Sequence, residues 1–154
     1  MQTRSLTYTE VFPIKPDALF ALLITPTQIC RWWSARTAIV IPQDGGLWAA
    51  VWGEDLNEPD YQSAADITRF DAPHCLRLGN YRYYAKDGPL PFEADFSVTF
   101  DVMPSSDAAQ LTVTQAGFPA SADANSEADA YYLACEQGWR DTFAGIKRLA
   151  ESMS

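Results

Sequence analysis

The sequence is poor in metal-ligating and redox-active side chains. It contains one histidine, His74, and three widely separated cysteines, Cys30, Cys75 and Cys135. Neither a C-x-x-C pair nor a Cys/His spacing typical of zinc occurs. We therefore expect buried free thiols in a reducing compartment, and neither a metal ion nor a cofactor.

Basic residues are also scarce. Eleven Lys and Arg stand against 20 Asp and Glu, which gives a formal net charge of −9, and the basic residues form no cluster. Such a surface repels phosphate backbones and anionic lipid headgroups. The sequence therefore argues against nucleic acid and against a membrane surface as partners.

Long apolar runs are missing as well. The first residues, MQTRSLTYTEVF, contain no apolar leader segment. No stretch approaches the run of about 18 apolar residues that a membrane-spanning helix needs. We expect a cytoplasmic protein.

Aromatic side chains, in contrast, are plentiful. They make up 13% of the 154 residues and include five tryptophans, two of which, Trp32 and Trp33, are adjacent. A chain of this length can bury a core of its own, so we expect a single domain spanning 1–154. Neighbouring helical residues differ by about 100° in direction, and one narrow apolar stripe cannot easily bury both indoles.

Segments rich in β-formers and separated by turn residues predict a run of strands. Asp44-Gly45-Gly46 and Asp71-Ala72-Pro73 are two of the turn signals between them. The predicted strands cover 4–12, 36–41, 47–53, 61–70, 74–85, 92–102 and 109–118.

Helices are predicted on either side of this run. Pro16 suits the first position of one short helix, and Thr25-Pro26 separates it from a second, PTQICRWW. Ser126 and Asp129 resemble a capping box at the start of a C-terminal amphipathic helix of about 24 residues. Helices segregated from a run of strands favour an α+β fold, with the long helix laid across an antiparallel sheet.

Short matches distributed along nearly the whole chain resemble a known superfamily. The matching residues are Phe20-Ala21-Leu22, Thr25-Pro26, Trp32-Trp33, Gly45-Gly46-Leu47-Trp48, Asp66-Ile67, Asp71-Ala72-Pro73, Leu76-Arg77-Leu78, Leu111-Thr112-Val113-Thr114, Gly117-Phe118 and Gly138-Trp139. Their ordered set resembles the START-like (SRPBCC, helix-grip, Bet v allergen-like) superfamily. Within it, the sequence is most similar to the family of activator of heat-shock-protein-ninety ATPase homologues. It departs from the family pattern at Ala72, where a second proline is usual, and in the tyrosine-rich segment 79–84.

The resemblance implies a helix-grip fold. In that α+β fold a curved antiparallel sheet of about six or seven strands wraps around a long C-terminal helix, and two short helices follow the first strand. It also implies a cavity between sheet and helix, closed by the pair of short helices. Such cavities commonly hold apolar or aromatic small molecules, but members range from binding proteins to polyketide cyclases, so the fold alone does not decide the function.

Aromatic residues are the candidates for contact with a ligand. Trp48 and Trp52 lie on one face of a predicted strand with only Ala50 between them, an arrangement that can leave a slot for a planar molecule. Tyr81 and Tyr83 share one face of another strand, and which face is turned inward stays open. We expect the following residues to line or close the cavity: Trp33, Trp48, Trp52, Tyr81, Tyr83, Phe118 and Trp139.

Candidates for catalysis are few. His74 follows a turn proline, which places it at a strand end near solvent. Glu93 and Asp95 alternate with apolar residues in FEADF, a pattern that favours acids facing water while Phe92, Ala94 and Phe96 are buried.

These observations favour a protein that binds a small apolar or aromatic molecule. A first alternative is a polyketide cyclase or dehydratase in which tyrosine hydroxyls, Arg82 or His74 orient an enolisable substrate. A second alternative is a co-chaperone-like module that contacts a protein partner with its outer surface. A homodimer also stays open.

Overall fold

A computed structural model describes residues 3–90, 92–120 and 126–154, apart from the side chain of Ser126. The strands and helices within these ranges follow the predicted order. They are β1 Thr3–Phe12, α1 Pro16–Ile24, α2 Pro26–Trp33, β2 Thr37–Val40, β3 Leu47–Trp52, β4 Tyr61–Asp71, β5 Cys75–Ala85, β6 Phe96–Ser105, β7 Ala108–Pro119 and α3 Ser126–Met153. The predicted α+β helix-grip fold is confirmed, and the N-cap predicted at Ser126 concerns a side chain outside the described part of the chain.

The seven described strands form one curved antiparallel sheet. Their order across the sheet is β1-β7-β6-β5-β4-β3-β2. Strand β1 pairs with β7 although most of the chain separates them. The two short helices connect β1 at one edge of the sheet to β2 at the other edge, so this connection crosses one face of the sheet.

Proline and threonine set the bounds of the two short helices. Pro16 and Pro26 occupy the first turns of α1 and α2, where a missing N–H costs nothing. Thr25 ends α1 and starts α2, and its hydroxyl donates to the Ala21 carbonyl across 2.6 Å. Ser34, in a left-handed conformation at φ 57°, ends α2.

The core lies between α3, the short helices and the inner face of the sheet. Phe143 on α3 is fully buried and contacts the rings of Tyr8 and Phe12 on β1 edge to face. Gly145 on α3 lies against the Trp32 carbonyl of α2, where an added Cβ would overlap that oxygen. Close approach at this glycine lets α2 and α3 pack together over the sheet.

Two predicted elements differ from the structure. Strand β6 begins at Phe96 and not at residue 92, because Phe96 pairs with Tyr81 and the preceding residues run beyond this pairing. Glu93 and Asp95 are exposed as predicted, but Ala94 is exposed too, since no strand orders that segment. Helix α3 has 28 residues and so is longer than predicted.

Within the described ranges, no helix is both long enough and apolar enough to cross a membrane.

Candidate functional site

A cavity of about 260 Å³ lies between α3 and the inner face of the sheet. Helix α3 supplies one wall with side chains that recur every three or four residues, the spacing that puts them on one face. The sheet supplies the opposite wall, and Trp33 of α2 stands at one side. The lining residues are Trp33, Ser63, Tyr81, Tyr83, Val98, Gln115, Tyr131, Ala134, Cys135, Gly138, Trp139 and Thr142.

The helical wall carries little side-chain bulk at the rim of the cavity. Ala134 and Gly138 are exposed at the rim, so the cavity opens to solvent there. A Cβ added at Gly138 would meet no atom within 4 Å. A glycine inside a helix costs about 1 kcal/mol relative to alanine. Since no packing contact at this position requires a glycine, its effect is to leave space at the cavity mouth.

A buried polar chain lies at the floor of the cavity. The indole N–H of Trp139 donates to Oε1 of Gln115 across 2.8 Å, and Gln115 is 95% shielded from solvent. The side chain of Gln115 also interacts with the thiol of Cys135, as does the hydroxyl of Tyr131. Burial nevertheless raises the pKa of the Cys135 thiol, so this thiol stays protonated at neutral pH.

Two tyrosine hydroxyls add neutral hydrogen-bonding groups to the walls. Burial raises the pKa of Tyr81 to about 12, against a smaller lowering by the neighbouring Ser63 hydroxyl. Burial also raises the pKa of Tyr131, and the adjacent Cys135 thiol raises it further. Both phenols therefore stay protonated across the physiological range and can donate as well as accept hydrogen bonds.

The cavity lining carries no charge. None of its residues, all within the described ranges, is Asp, Glu, Lys, Arg or His. The site is therefore a neutral, mainly aromatic space with a few convergent polar groups, which is the usual composition of a small-molecule site.

The adjacent tryptophans have different environments. Trp32 is buried, and its N–H donates to the Leu22 carbonyl across 2.8 Å. Trp33 stacks on Trp32 with ring centroids 5.3 Å apart, and it also contacts Trp48 and Trp52. Its ring is only partly buried and lines the cavity. One indole of the pair thus fills the core while the other forms part of a cavity wall.

Trp33 also differs from the other tryptophans in its hydrogen bonding. The N–H groups of Trp48 and Trp52 donate to the carbonyls of Leu23 and Trp33, across 2.9 and 3.1 Å. Those of Trp32 and Trp139 are bonded as described above. Nε1 of Trp33 has no acceptor among the described residues, so it is a donor available to a bound molecule.

The structure brings four of the predicted ligand-contacting residues together at the cavity, namely Trp33, Tyr81, Tyr83 and Trp139. The face of β5 that bears Tyr81 and Tyr83 is the inner one. Direct contact with a ligand stays a prediction for these residues, but their convergence is now an observation.

The other three predicted residues lie away from the lining. Trp48 is 1% exposed and bonded to α1, so its ring belongs to the core and leaves no slot beside Ala50. Trp52 is half-buried against the Trp33 ring, with centroids 4.7 Å apart. Phe118 is fully buried against Phe96 and Tyr132. The size of these three side chains and the strand face that they occupy predict that they are buried. Contact with the cavity depends in addition on how the helices pack over each ring.

Sequence reasoning missed most of the polar lining. Gln115 could have been predicted as a buried polar residue, because it follows Leu111 and Val113 at the same alternating spacing on β7. Tyr131 and Cys135 lie four residues apart on the predicted amphipathic helix, and this helical spacing could have identified them as neighbours on one face. Ser63 gave no signal, since a serine in a strand is ordinary.

The charged catalytic candidates lie outside this cavity. His74 is exposed, one residue before β5, as predicted. Arg82 is exposed and reaches Asp66 at 3.6 Å and the Asn80 carbonyl at 3.2 Å. It lines a wider cleft of about 820 Å³ where β5 runs beyond β6, together with Glu93 and Asp95. The two spaces share Tyr81 and Tyr83.

A comparison of the sequence with known protein families agrees with the fold. Residues 13–151 match the model of the family described as activator of Hsp90 ATPase homolog 1-like protein. The chain belongs to this family. No curated protein sequence matches the chain.

Several solved structures share the fold. The protein MLL2253 of Mesorhizobium loti is 18% identical, with a TM-score of 0.76 over 98% of this chain and 99% of that one. The protein CV1439 of Chromobacterium violaceum is 15% identical, with a TM-score of 0.70 over 96% of this chain and 97% of that one. DynU16, described as a putative protein in the dynemicin biosynthetic locus, is 12% identical with a TM-score of 0.70 over 97% of this chain and 48% of that one. Likenesses at these identities establish the fold.

Proposed function

We propose that this member of the family binds a neutral, largely aromatic small molecule in the cavity between α3 and the sheet. The observation that carries the proposal is the lining itself, in which aromatic rings surround a few neutral polar groups and no charge. The space left at Gly138 on α3 supports it, because a side chain there would have met no steric obstacle.

The charge of the ligand follows from the groups that can meet it. An ionised carboxylate or ammonium placed against this lining would lose its hydration without gaining an opposite charge, which is costly. The ligand is therefore neutral. Its polar atoms include at least one acceptor, since the N–H of Trp33 and the hydroxyls of Tyr81 and Tyr131 are all able to donate.

The reaction chemistry of a cyclase or dehydratase fits this cavity less well. Proton abstraction needs a base within hydrogen-bond reach of the substrate, with a pKa near neutrality. The phenols and the thiol that line the cavity have raised pKa values instead. The biosynthetic-locus description of DynU16 keeps a cyclase as the second candidate, with Tyr81 and Tyr131 orienting the substrate. Two hypotheses from the sequence, a co-chaperone-like contact with a protein partner and a homodimer, stay predictions.

A pair of ligands with one shape and two charges tests the proposal. We suggest titrating the protein with 2-acetylnaphthalene, a neutral ketone, and with 2-naphthoate, its anionic counterpart, by calorimetry and tryptophan emission. We expect the ketone to bind at least about tenfold more tightly, a difference of about 1.4 kcal/mol, because the anion loses hydration without a cationic partner. Equal affinities, or preference for the anion, would contradict the neutral site.

Variants at Gly138 locate the binding. A helical side chain lies over the turn that precedes it, here the turn of Ala134 and Cys135 at the rim. Gly138→Leu should therefore cover the mouth and weaken binding of the ketone, whereas Gly138→Ala is the matched control that changes helix propensity alone. Unchanged binding in Gly138→Leu would place the ligand elsewhere.

A further inference from the structure

A row of aromatic rings, of which Tyr61 and Tyr83 are exposed, continues from the rim of the cavity. Tyr83 lines the cavity, and its ring stacks against that of Tyr61 with centroids 6.3 Å apart and planes at 17°. Trp52 is the cross-strand partner of Tyr61 and connects the row to Trp33. We refer to Trp52, Tyr61 and Tyr83 as the outer aromatic strip.

The strip lies on the same face of the sheet as the cavity. Tyr83 pairs with Ser63, which lines the cavity, and Tyr61 precedes Ser63 by two residues on β4. Residues two apart on a strand share a face, so the rings of Tyr61 and Tyr83 both stand on the inner side. They are nevertheless 45% and 39% exposed, because α3 covers the cavity but leaves this end of β4 and β5 open.

The size of the cavity gives the strip a role. A void of roughly 150 Å³ holds benzene, and sites for larger ligands run from about 300 Å³ upward. At about 260 Å³, the cavity holds a fused ring pair but not a longer molecule. The exposed lining residues are Ala134 and Gly138 on α3 and Tyr83 on the sheet, so a longer ligand leaves between them, and the ring of Tyr61 stacks on that of Tyr83 at this edge.

We propose that the outer aromatic strip is a second subsite, which binds the distal ring of an elongated neutral ligand whose first rings occupy the cavity. This inference rests on the proposed function and specifies its ligand class. The wide cleft, which shares Tyr81 and Tyr83 with the cavity, is the competing exit. Its walls carry Arg82, Glu93 and Asp95 beside apolar residues, whereas no charged residue lines the cavity, and a neutral ring in the cleft would displace hydration of these charges without compensation.

Two ketones that differ by one ring test this arrangement. The probes are 2-acetylnaphthalene and 2-acetyl-6-phenylnaphthalene, titrated by calorimetry into the unmodified protein and its variants. We expect the phenyl-extended ketone to bind more tightly, and Tyr61→Ala to weaken it by roughly 3- to 10-fold, in line with a lost aromatic pair. Affinity for 2-acetylnaphthalene should change less than about 2-fold, because that probe ends at Tyr83.

Matched variants separate ring contact from side effects. Tyr61→Phe keeps the ring and should keep the affinity for the extended ketone. Tyr84→Ala removes a tyrosine that is 52% exposed on the other face of β5 and should change neither probe. Thermal melting of each variant checks that the fold is kept.

Each contrary outcome has its own meaning. If Tyr61→Ala binds the extended ketone as the unmodified protein does, the second subsite is refuted while the cavity stands. The same holds if Leu90→Ala, in the wide cleft, weakens the extended ketone and Tyr61→Ala does not. If neither ketone binds the unmodified protein, the proposed function fails, and the subsite with it.

Discussion

Two glycines of α3, seven residues apart, should respond oppositely to the same substitution. At Gly138 an added Cβ meets no atom within 4 Å, so Gly138→Ala changes only helix propensity. Alanine is favoured over glycine in a helix interior by about 1 kcal/mol. For a domain of this size, a gain of about 1 kcal/mol raises the melting temperature by roughly 2–4 °C.

At Gly145 the same propensity gain is outweighed by a clash. The added Cβ would overlap the carbonyl oxygen of Trp32, a backbone atom that cannot rotate away. Overpacking of this kind costs about 1–3 kcal/mol, so we expect Gly145→Ala to lower the free energy of unfolding by up to about 2 kcal/mol net. It should also shift Trp33, the residue that follows Trp32 on α2.

Thermal and urea unfolding of the two variants measure this difference directly. A rise in melting temperature for Gly138→Ala with a fall for Gly145→Ala is the expected pair of results. If both variants are stabilised equally, the result would contradict the close contact between Gly145 of α3 and the Trp32 carbonyl of α2. If Gly138→Ala is destabilised, the result would contradict the open space that the structure shows beside Gly138.

Three further outcomes follow from the core and the cavity floor. Trp48→Ala should cost about 3–5 kcal/mol of unfolding free energy in urea, as expected for a buried core ring and not for a residue that serves a ligand alone; a loss below about 1 kcal/mol would contradict its burial. Gln115→Leu should cost about 1–3 kcal/mol because Trp139 Nε1 loses its acceptor, and Trp139→Phe in the same chain should recover part of that cost; strict additivity would refute the coupling. Burial raises the pKa of Tyr81 from 10.0 to about 12, so its contribution to stability is present below pH about 10 and is lost as the pH rises through about 12. Between these values the free energy of unfolding should fall by about 1.4 kcal/mol per pH unit. Tyr81→Phe should flatten this decline in urea unfolding, and an unchanged slope would contradict the burial of Tyr81.

The order of the helices and strands was predictable because each element has a signal in its own stretch of sequence. Pro16, Thr25 and Pro26 mark the bounds of two helices by their own backbone chemistry, and both helices begin and end where the sequence indicates. The start of β6 was not predictable in this way. It is set by the pairing of Phe96 with Tyr81, a contact between strands that the alternation in FEADF does not encode.

The candidate site was predictable only in part, for a similar reason. Period-two spacing places Tyr81 and Tyr83 on one face but does not say which face is inward. Trp48 and Trp33 are alike in size and hydrophobicity, yet one ring is locked to the Leu23 carbonyl of α1 and the other lines the cavity. That difference depends on how α1 and α2 lie over β3, which is a tertiary contact and leaves no local pattern in the sequence.

Amide chemical shifts during a titration with 2-acetylnaphthalene test the central claim most directly. If the cavity binds the ketone, shifts should concentrate at its walls, including Gly138 on α3, Val98 on β6 and Gln115 on β7. The amides of Val11 and Met103, which both pair with Gln110 five residues along β7 from Gln115, should stay unchanged. Shifts confined to that end of the sheet, or a saturating titration with none at Gly138, Val98 and Gln115, would contradict binding between α3 and the sheet.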